Sequence, residues 1–104
     1  MNSEMLKVAG NNENVIITQH GINRLREKQI KYRDVIAVLL NGEIIEQYPD
    51  DYPYPSCLVF GHSQNGRVLH VVCGYNEGKI WIITAYWPDN ERWEPDMKTR
   101  KGRK

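Results

Sequence analysis

The chain has 104 residues, of which 40% are hydrophobic and 26% charged, and its formal net charge at pH 7 is +1. These values are typical of one globular domain with a modest core. No apolar run is long enough to span a membrane, and the N-terminus lacks a basic stretch followed by an apolar one, so we expect a cytoplasmic protein with no membrane partner. The two cysteines are too few for a disulfide scaffold.

The basic residues are unevenly distributed. Residues 98–104 contain five of the fourteen Lys and Arg residues, and we predict a basic tail there. A second basic block lies within residues 24–33, and an acidic block follows within residues 34–51. Segregated charge favours an anionic partner for the basic surfaces, although a solvated helix face and a loose tail also account for it.

Two helices are predicted near the N-terminus. Residues 1–13 are polar and rich in asparagine, which favours a flexible leader. Residues 15–17 fit either a short strand or an apolar staple before a helix. Thr18 is a suitable N-cap for a helix that runs to about residue 29. A second helix is predicted over residues 32–41, where Asn-Gly provides a C-terminal stop.

Four strands are predicted after the helices, over residues 43–48, 56–62, 67–75 and 79–87. The order of two helices followed by an antiparallel meander predicts an α+β fold. In this fold two N-terminal helices pack on one face of a mostly antiparallel four-stranded sheet. The single domain would span residues 14–97.

His70 is a polar ring inside the apolar third strand. A two-residue turn at Asn65-Gly66 would place it opposite Gly61. A three-residue loop over residues 76–78 would make Tyr86 its diagonal neighbour. His70 would then lie on the more polar face of the sheet, which we expect to be open.

The same register assigns the other face of the sheet to the helices. Its members are bulkier and more apolar, namely Leu58, Phe60, Leu69, Val71, Trp81, Ile83, Ala85 and Trp87. This register puts Cys57 and Cys73 on opposite faces, which argues against a disulfide between them.

Several segments in this order resemble the family known as domain of unknown function 4258. They are Thr18-x-His20-x-x-x-Arg24, residues 41–46, residues 48–58, Leu69-His70-Val71-Val72 and residues 82–88, and the resemblance covers roughly residues 15–95. It implies a small cytoplasmic protein with a layout similar to RelE-like and MqsR-like toxins, which are metal-independent ribonucleases. It also implies a neighbouring antitoxin with a zinc finger.

On this resemblance we expect the toxin of a type II toxin–antitoxin system, an endoribonuclease that acts on mRNA or ribosome-associated RNA. Metal-free cleavage needs a base for the ribose 2′-hydroxyl, a donor for the phosphorane and an acid for the leaving oxygen. We predict that His70 and His20 serve as base and acid, with either assignment open. Arg24 would hold the phosphate, and Tyr86 would orient or donate.

Further basic residues are candidates for contacts with the RNA backbone, namely Arg26, Arg67, Arg92, Lys98 and Arg100. Trp87 or Trp93 could stack on a base. No cofactor is expected. No metal is expected either, because a His20–His70 site has no third ligand at helpful spacing.

Two other interpretations remain open. His70 could be a structural histidine that is hydrogen-bonded in the core, and His20 could bond a backbone group. The chain would then be a non-catalytic module that binds a protein through a sheet face or edge, or one that binds nucleic acid without cleaving it.

Overall fold

The computed structural model describes residues 2–11 and 13–102, and this part of the chain forms three helices and five strands. The helices are α1 (Ser3–Asn11), α2 (Gln19–Glu27) and α3 (Tyr32–Asn41). The strands are β1 (Val15–Ile17), β2 (Glu43–Tyr48), β3 (Ser56–His62), β4 (Val68–Asn76) and β5 (Lys79–Tyr86). They form one mixed sheet in the order β1-β5-β4-β3-β2. No helix in the described ranges is long and apolar enough to cross a membrane.

The predicted α+β class and the two predicted helices are confirmed. Thr18 caps α2, since its hydroxyl accepts a hydrogen bond from the backbone N–H of Gly21 at 3.0 Å. Gln29 has a φ of 57° in the short connection to α3. Asp34 in the first turn of α3 accepts the N–H of Gln64 at 2.9 Å, which ties this helix to the β3–β4 hairpin.

The flexible leader predicted for residues 1–13 is replaced by helix α1 over most of its length, while residues 1 and 12 lie outside the described residues. Leu6 and Ala9 are three residues apart, so they share a helix face, and both are buried in the core. Gly10 packs closely against Leu40 of α3. A Cβ added at Gly10 would come within 2.8 Å of the Leu40 side chain.

The predicted four-stranded sheet gains the strand β1, which runs parallel to β5. The run Val-Ile-Ile is rich in β-branched residues, which favour a strand. It lies extended alongside β5 and pairs with residues 80–82. The backbone N–H of Ile80 donates to the carbonyl of Asn14 at 2.8 Å, which begins this pairing. The layout with two helices and four strands was therefore incomplete at the N-terminus.

The β3–β4 hairpin has a different register from the predicted one. The N–H of Gly66 donates to the carbonyl of Ser63, and the N–H of Ser63 donates to the carbonyl of Arg67. This is a three-residue loop in which Gly66 takes a positive φ of 82° at the last loop position. The pairing shifts by one residue, so His70 lies opposite Phe60 instead of Gly61.

This shift brings the two cysteines together, contrary to the prediction that they face opposite ways. Cys57 and Cys73 are directly opposed across the strands, and their sulfur atoms lie 3.8 Å apart as thiols. A register slip of one residue moves a side chain to the other face of a sheet, which accounts for the error. The neighbouring sulfur and burial raise the pKa of the Cys73 thiol.

The β4–β5 hairpin turns through two residues, Glu77 and Gly78, rather than three. Farther along it, the register shifts between Val72 and Cys73, where Ile83 is the extra residue of a bulge in β5. The shorter turn and the bulge together place Tyr86 directly opposite His70.

The two faces of the sheet differ in what covers them. The inner face packs against the helices through Cys57, Val59, Leu69, Val71, Cys73, Ile80, Ile82 and Ala85. Leu69, Val71 and Ala85 were assigned correctly. Leu58, Phe60 and Trp81 instead lie on the outer face with His70, since directly opposed residues share a face.

The outer face is covered in part by the C-terminal segment, residues 89–102, so it is not open at His70 as predicted. Arg100 forms an ion pair with Glu46 of β2, and Lys98 forms one with Glu43. Trp93 forms a β-bridge with Arg100 and is only 2% exposed. The predicted tail thus begins by folding back over the sheet, while Arg103 and Lys104 lie outside the described residues.

Candidate functional site

The outer face carries a cleft of about 500 Å³ between β5 and the C-terminal segment. Three cationic side chains and several aromatic rings line it, and we call it the cationic cleft. Its main members are Lys28, Tyr48, Tyr86, Arg92, Trp93 and Arg100. The acidic residues Asp89 and Glu91 also line it. One oxygen of Asp89 accepts the N–H of Glu91 at 3.0 Å, so it is engaged by the loop itself.

His70 lies beneath this cleft and is fully buried. Its Nε2 is 2.7 Å from the carbonyl oxygen of Met97, and its Nδ1 is 3.2 Å from the hydroxyl of Tyr86. Because a carbonyl can only accept, Nε2 carries the hydrogen and Nδ1 of the neutral ring accepts from Tyr86. The Trp93 ring packs edge-on against the imidazole, with centroids 4.6 Å apart.

Burial favours the uncharged forms of both members of the His70–Tyr86 pair. It lowers the pKa of His70, against the opposing effect of the Met97 carbonyl, and it raises the pKa of Tyr86. A neutral His70 presents an unprotonated Nδ1, which accepts the hydrogen bond of the Tyr86 hydroxyl. The Tyr86 phenol lines the cleft and is hydrogen-bonded to His70, so a proton taken up in the cleft can be relayed to the buried imidazole.

Arg100 is held in the wall of the cleft by Glu46. Its Nη2 and Nε donate to the two carboxylate oxygens at 2.9 and 3.2 Å, which is a bidentate arrangement. The hydroxyl of Tyr48 also donates to Glu46. Burial and this hydrogen bond raise the pKa of Tyr48 to about 12. The guanidinium of Arg100 lies 4.6 Å from the centre of the Trp93 ring, so its plane has a defined position.

His20 and Arg24 lie on the exposed side of α2, where Nε of Arg24 donates to Nε2 of His20 at 3.2 Å. Lys28 is four residues farther on and belongs to the same stripe of the helix. Its ammonium donates to the carbonyl of Ala85 at 3.3 Å and lies 5.8 Å from the centre of the Tyr86 ring.

The stripe extends away from the cleft. Eight residues of helix separate His20 from Lys28 by about 12 Å along the axis. The structure therefore pairs His70 with Tyr86 and His20 with Arg24, and it does not join the two pairs through a shared partner among the described residues. The catalytic roles of these four residues stay predictions.

The five predicted RNA contacts fall in different places. Arg92 and Arg100 line the cationic cleft. Arg67 is near its edge, with its guanidinium 4.3 Å from the centre of the Trp87 ring. Lys98 pairs with Glu43 at 2.8 Å. Arg26 lies on the other flank of α2, beside an apolar groove.

Sequence reasoning missed three residues of this site, namely Lys28, Glu46 and Tyr48. The alternation of Glu46 and Tyr48 along β2 places them on one face, which was a usable signal. Of the two tryptophans given as candidates for stacking on a base, Trp93 is buried and Trp87 has Arg67 over one face of its ring. In the described ranges no three His, Cys, Asp or Glu side chains form a group that could hold a metal ion.

The fold and the cleft define a small α+β protein with helices on one face of its sheet and a cation-lined site on the other. Residues 17–87 match the model of the family described as domain of unknown function (DUF4258), and the chain belongs to that family. No curated protein and no solved structure matches it. The matched span contains His70 and Tyr86, whereas Arg92 and Arg100 follow it.

Proposed function

We propose that this protein is a metal-independent endoribonuclease that binds RNA in the cationic cleft and acts as the toxin of a type II toxin–antitoxin system. The observation that carries the proposal is the Tyr86–His70 hydrogen bond at the floor of a cleft lined by Lys28, Arg92 and Arg100. The layout of helices on one face of the sheet supports a relationship to RelE-like and MqsR-like toxins.

Binding would depend on phosphate contacts. Three cations, beside the acidic residues Asp89 and Glu91, offer contacts to a phosphodiester. Each neutralised phosphate releases counterions and makes affinity fall with salt. Arg24 lies one helical turn from Lys28, which suits the next phosphate along the strand. His20 would position Arg24 by accepting its Nε–H.

The proposed cleavage begins with the ribose 2′-hydroxyl. Its proton passes to the Tyr86 oxygen while the Tyr86 proton passes to Nδ1 of His70, and the 2′-oxygen forms a bond to phosphorus. The bond from phosphorus to the 5′-oxygen breaks, and the ammonium of Lys28 protonates that oxygen. Arg92 and Arg100 stabilise the phosphorane charge. The products are a 2′,3′-cyclic phosphate and a 5′-hydroxyl, and solvent restores both proton positions.

The test is cleavage of single-stranded RNA in the presence of a metal chelator. Tyr86→Phe keeps the ring and removes the proton path, so the rate should fall at least about 100-fold. Tyr32→Phe is the matched control, because it removes an exposed phenol on α3. Intact RNA with the wild-type protein would contradict the nuclease proposal, and full activity of Tyr86→Phe would contradict the site.

The proposed partner follows from the family resemblance together with the toxin assignment. We infer that a zinc-finger antitoxin binds this protein and blocks the cleft. Expression of the wild type alone should arrest growth, and expression of Tyr86→Phe should not. Harmless wild-type protein would contradict the toxin proposal even if RNA cleavage in vitro were found.

Binding of RNA without cleavage is the second candidate, and one observation favours it. His70 is fully buried and both of its ring nitrogens are engaged, as in a structural histidine. In that case binding should weaken with salt while the RNA stays intact. His70→Gln would then lower stability without a specific effect on RNA.

A further inference from the structure

A second pocket of about 280 Å³ lies on the sheet near the start of α2, and we call it the aromatic pocket. It is lined chiefly by Thr18, Tyr52, Tyr54, Trp81 and Ile83. The rings of Tyr54 and Trp81 are inclined by 33° with centroids 6.4 Å apart. Tyr52 is 91% exposed, so the loop before β3 presents an uncovered ring.

The aromatic pocket adjoins the cationic cleft. Val72 lines the cleft and Gly74 lines the pocket, and these positions lie two residues apart on one face of β4, about 7 Å from each other. Along α2, Thr18 reaches the pocket and Lys28 reaches the cleft, with Arg24 between them. An extended ligand with its charged part in the cleft can therefore continue into the pocket.

The chemistry of the aromatic pocket suits a flat, uncharged ring. None of the residues that line it in the described part of the chain is charged. The indole Nε1 of Trp81 and the hydroxyl of Thr84 are buried, and the structure gives neither atom a hydrogen-bond partner within the described ranges. Unsatisfied buried donors are uncommon in folded proteins, and Trp81, which lines the pocket, carries one of these two.

We propose that the aromatic pocket binds an unpaired nucleobase of a single-stranded RNA whose phosphates lie in the cationic cleft. This inference rests on the proposed function and names its substrate class. Stacking against the rings of Tyr52 and Tyr54 supplies the contact that the tryptophans of the cleft do not, since Trp93 is buried and Arg67 lies over the Trp87 ring. A paired base is already stacked in its duplex, so double-stranded RNA is a poor ligand.

The experiment compares two fluorescent hexanucleotides by anisotropy at low salt. One is 2′-O-methyl RNA, which cannot be cleaved by 2′-hydroxyl attack, and the other is an abasic strand with the same phosphates. The wild type should bind the base-bearing strand about 10-fold more tightly or better, in the range expected for stacking on an aromatic side chain. Tyr54→Ala and Tyr52→Ala should each reduce that preference and leave affinity for the abasic strand unchanged.

Two further variants separate the possible results. Arg92→Ala should weaken both strands alike, because it removes a phosphate contact. Tyr32→Ala removes a half-exposed ring on α3 and should change neither affinity. Equal binding of the two strands by the wild type, or a preference that survives in the Tyr52→Ala/Tyr54→Ala double variant, would overturn the base pocket while RNA binding stands. Binding of neither strand would overturn the proposed function and the pocket with it.

Discussion

The two faces of the sheet are built by different interactions. The inner face is a continuous apolar layer under the helices, and most of its residues are fully buried. The outer face is covered in part by the C-terminal segment, which is held by ion pairs to β2 and by the hydrogen bond between His70 and the Met97 carbonyl. Burial on the inner face supplies stability. The polar contacts of the outer face fix groups that can meet a ligand.

This contrast predicts the largest loss of stability for a core truncation on the inner face. Leu69→Ala removes a fully buried side chain and leaves a cavity, so the free energy of unfolding should fall by about 3 kcal/mol. Urea denaturation measures the change. Ile83→Ala is the control, because that side chain is 45% exposed and should cost under about 1 kcal/mol. Equal losses for the two variants would contradict the assignment of faces.

A smaller loss of stability is expected when the ion pair between Glu46 and Arg100, which holds the C-terminal segment on β2, is removed. Glu46→Ala deletes the acceptor of both Arg100 and Tyr48. The cost should be about 1 kcal/mol, since the Arg100 side chain is 39% exposed and can return to water. The sharper readout is trypsin cleavage after Lys98 and Arg100, which should become faster. Unchanged cleavage would show that Glu46 does not hold this segment.

The two faces also differ in how far the sequence predicts them. Caps and apolar periodicity gave the correct bounds of α3, β2 and β3, because those signals are local. The register of the hairpins was wrong, because Gly66 occupies the last position of a three-residue loop and Ile83 forms a bulge. Each is a shift of one residue that composition does not reveal, and each reverses which face a side chain occupies.

The sequence predicted one part of the candidate site, the neighbouring positions of His70 and Tyr86, and missed the part that depends on contacts distant in sequence. Tyr86 was expected beside His70, and the two are directly opposed, although the predicted turn and strand register were both different. Cover from the C-terminal segment was not predicted, since it depends on ion pairs between residues more than fifty positions apart. Local patterns contain no information on such contacts.

We expect the stability to depend on pH through His70, which is buried on the outer face. Burial lowers its pKa in the folded protein, so the unfolded chain binds more protons below about pH 6.5. Stability should therefore fall as the pH is lowered from 6.5 toward the folded pKa and level off below it. His70→Gln should flatten this part of the profile. The control His62→Gln, which changes an exposed ring, should retain it.

The smallest expected loss of stability is for Lys98, a cation that holds the C-terminal segment but does not line the cleft. Lys98 and Glu43 form an ion pair with side chains 40% and 59% exposed, so Lys98→Ala should cost under about 0.5 kcal/mol. Its ammonium also lies 4.8 Å from the centre of the Phe60 ring, away from the residues that line the cleft. Under the proposed function, RNA affinity should therefore change less in Lys98→Ala than in Arg92→Ala, with both measured at one salt concentration. A larger loss for Lys98→Ala would move the RNA path from the cleft to the β2 edge of the sheet.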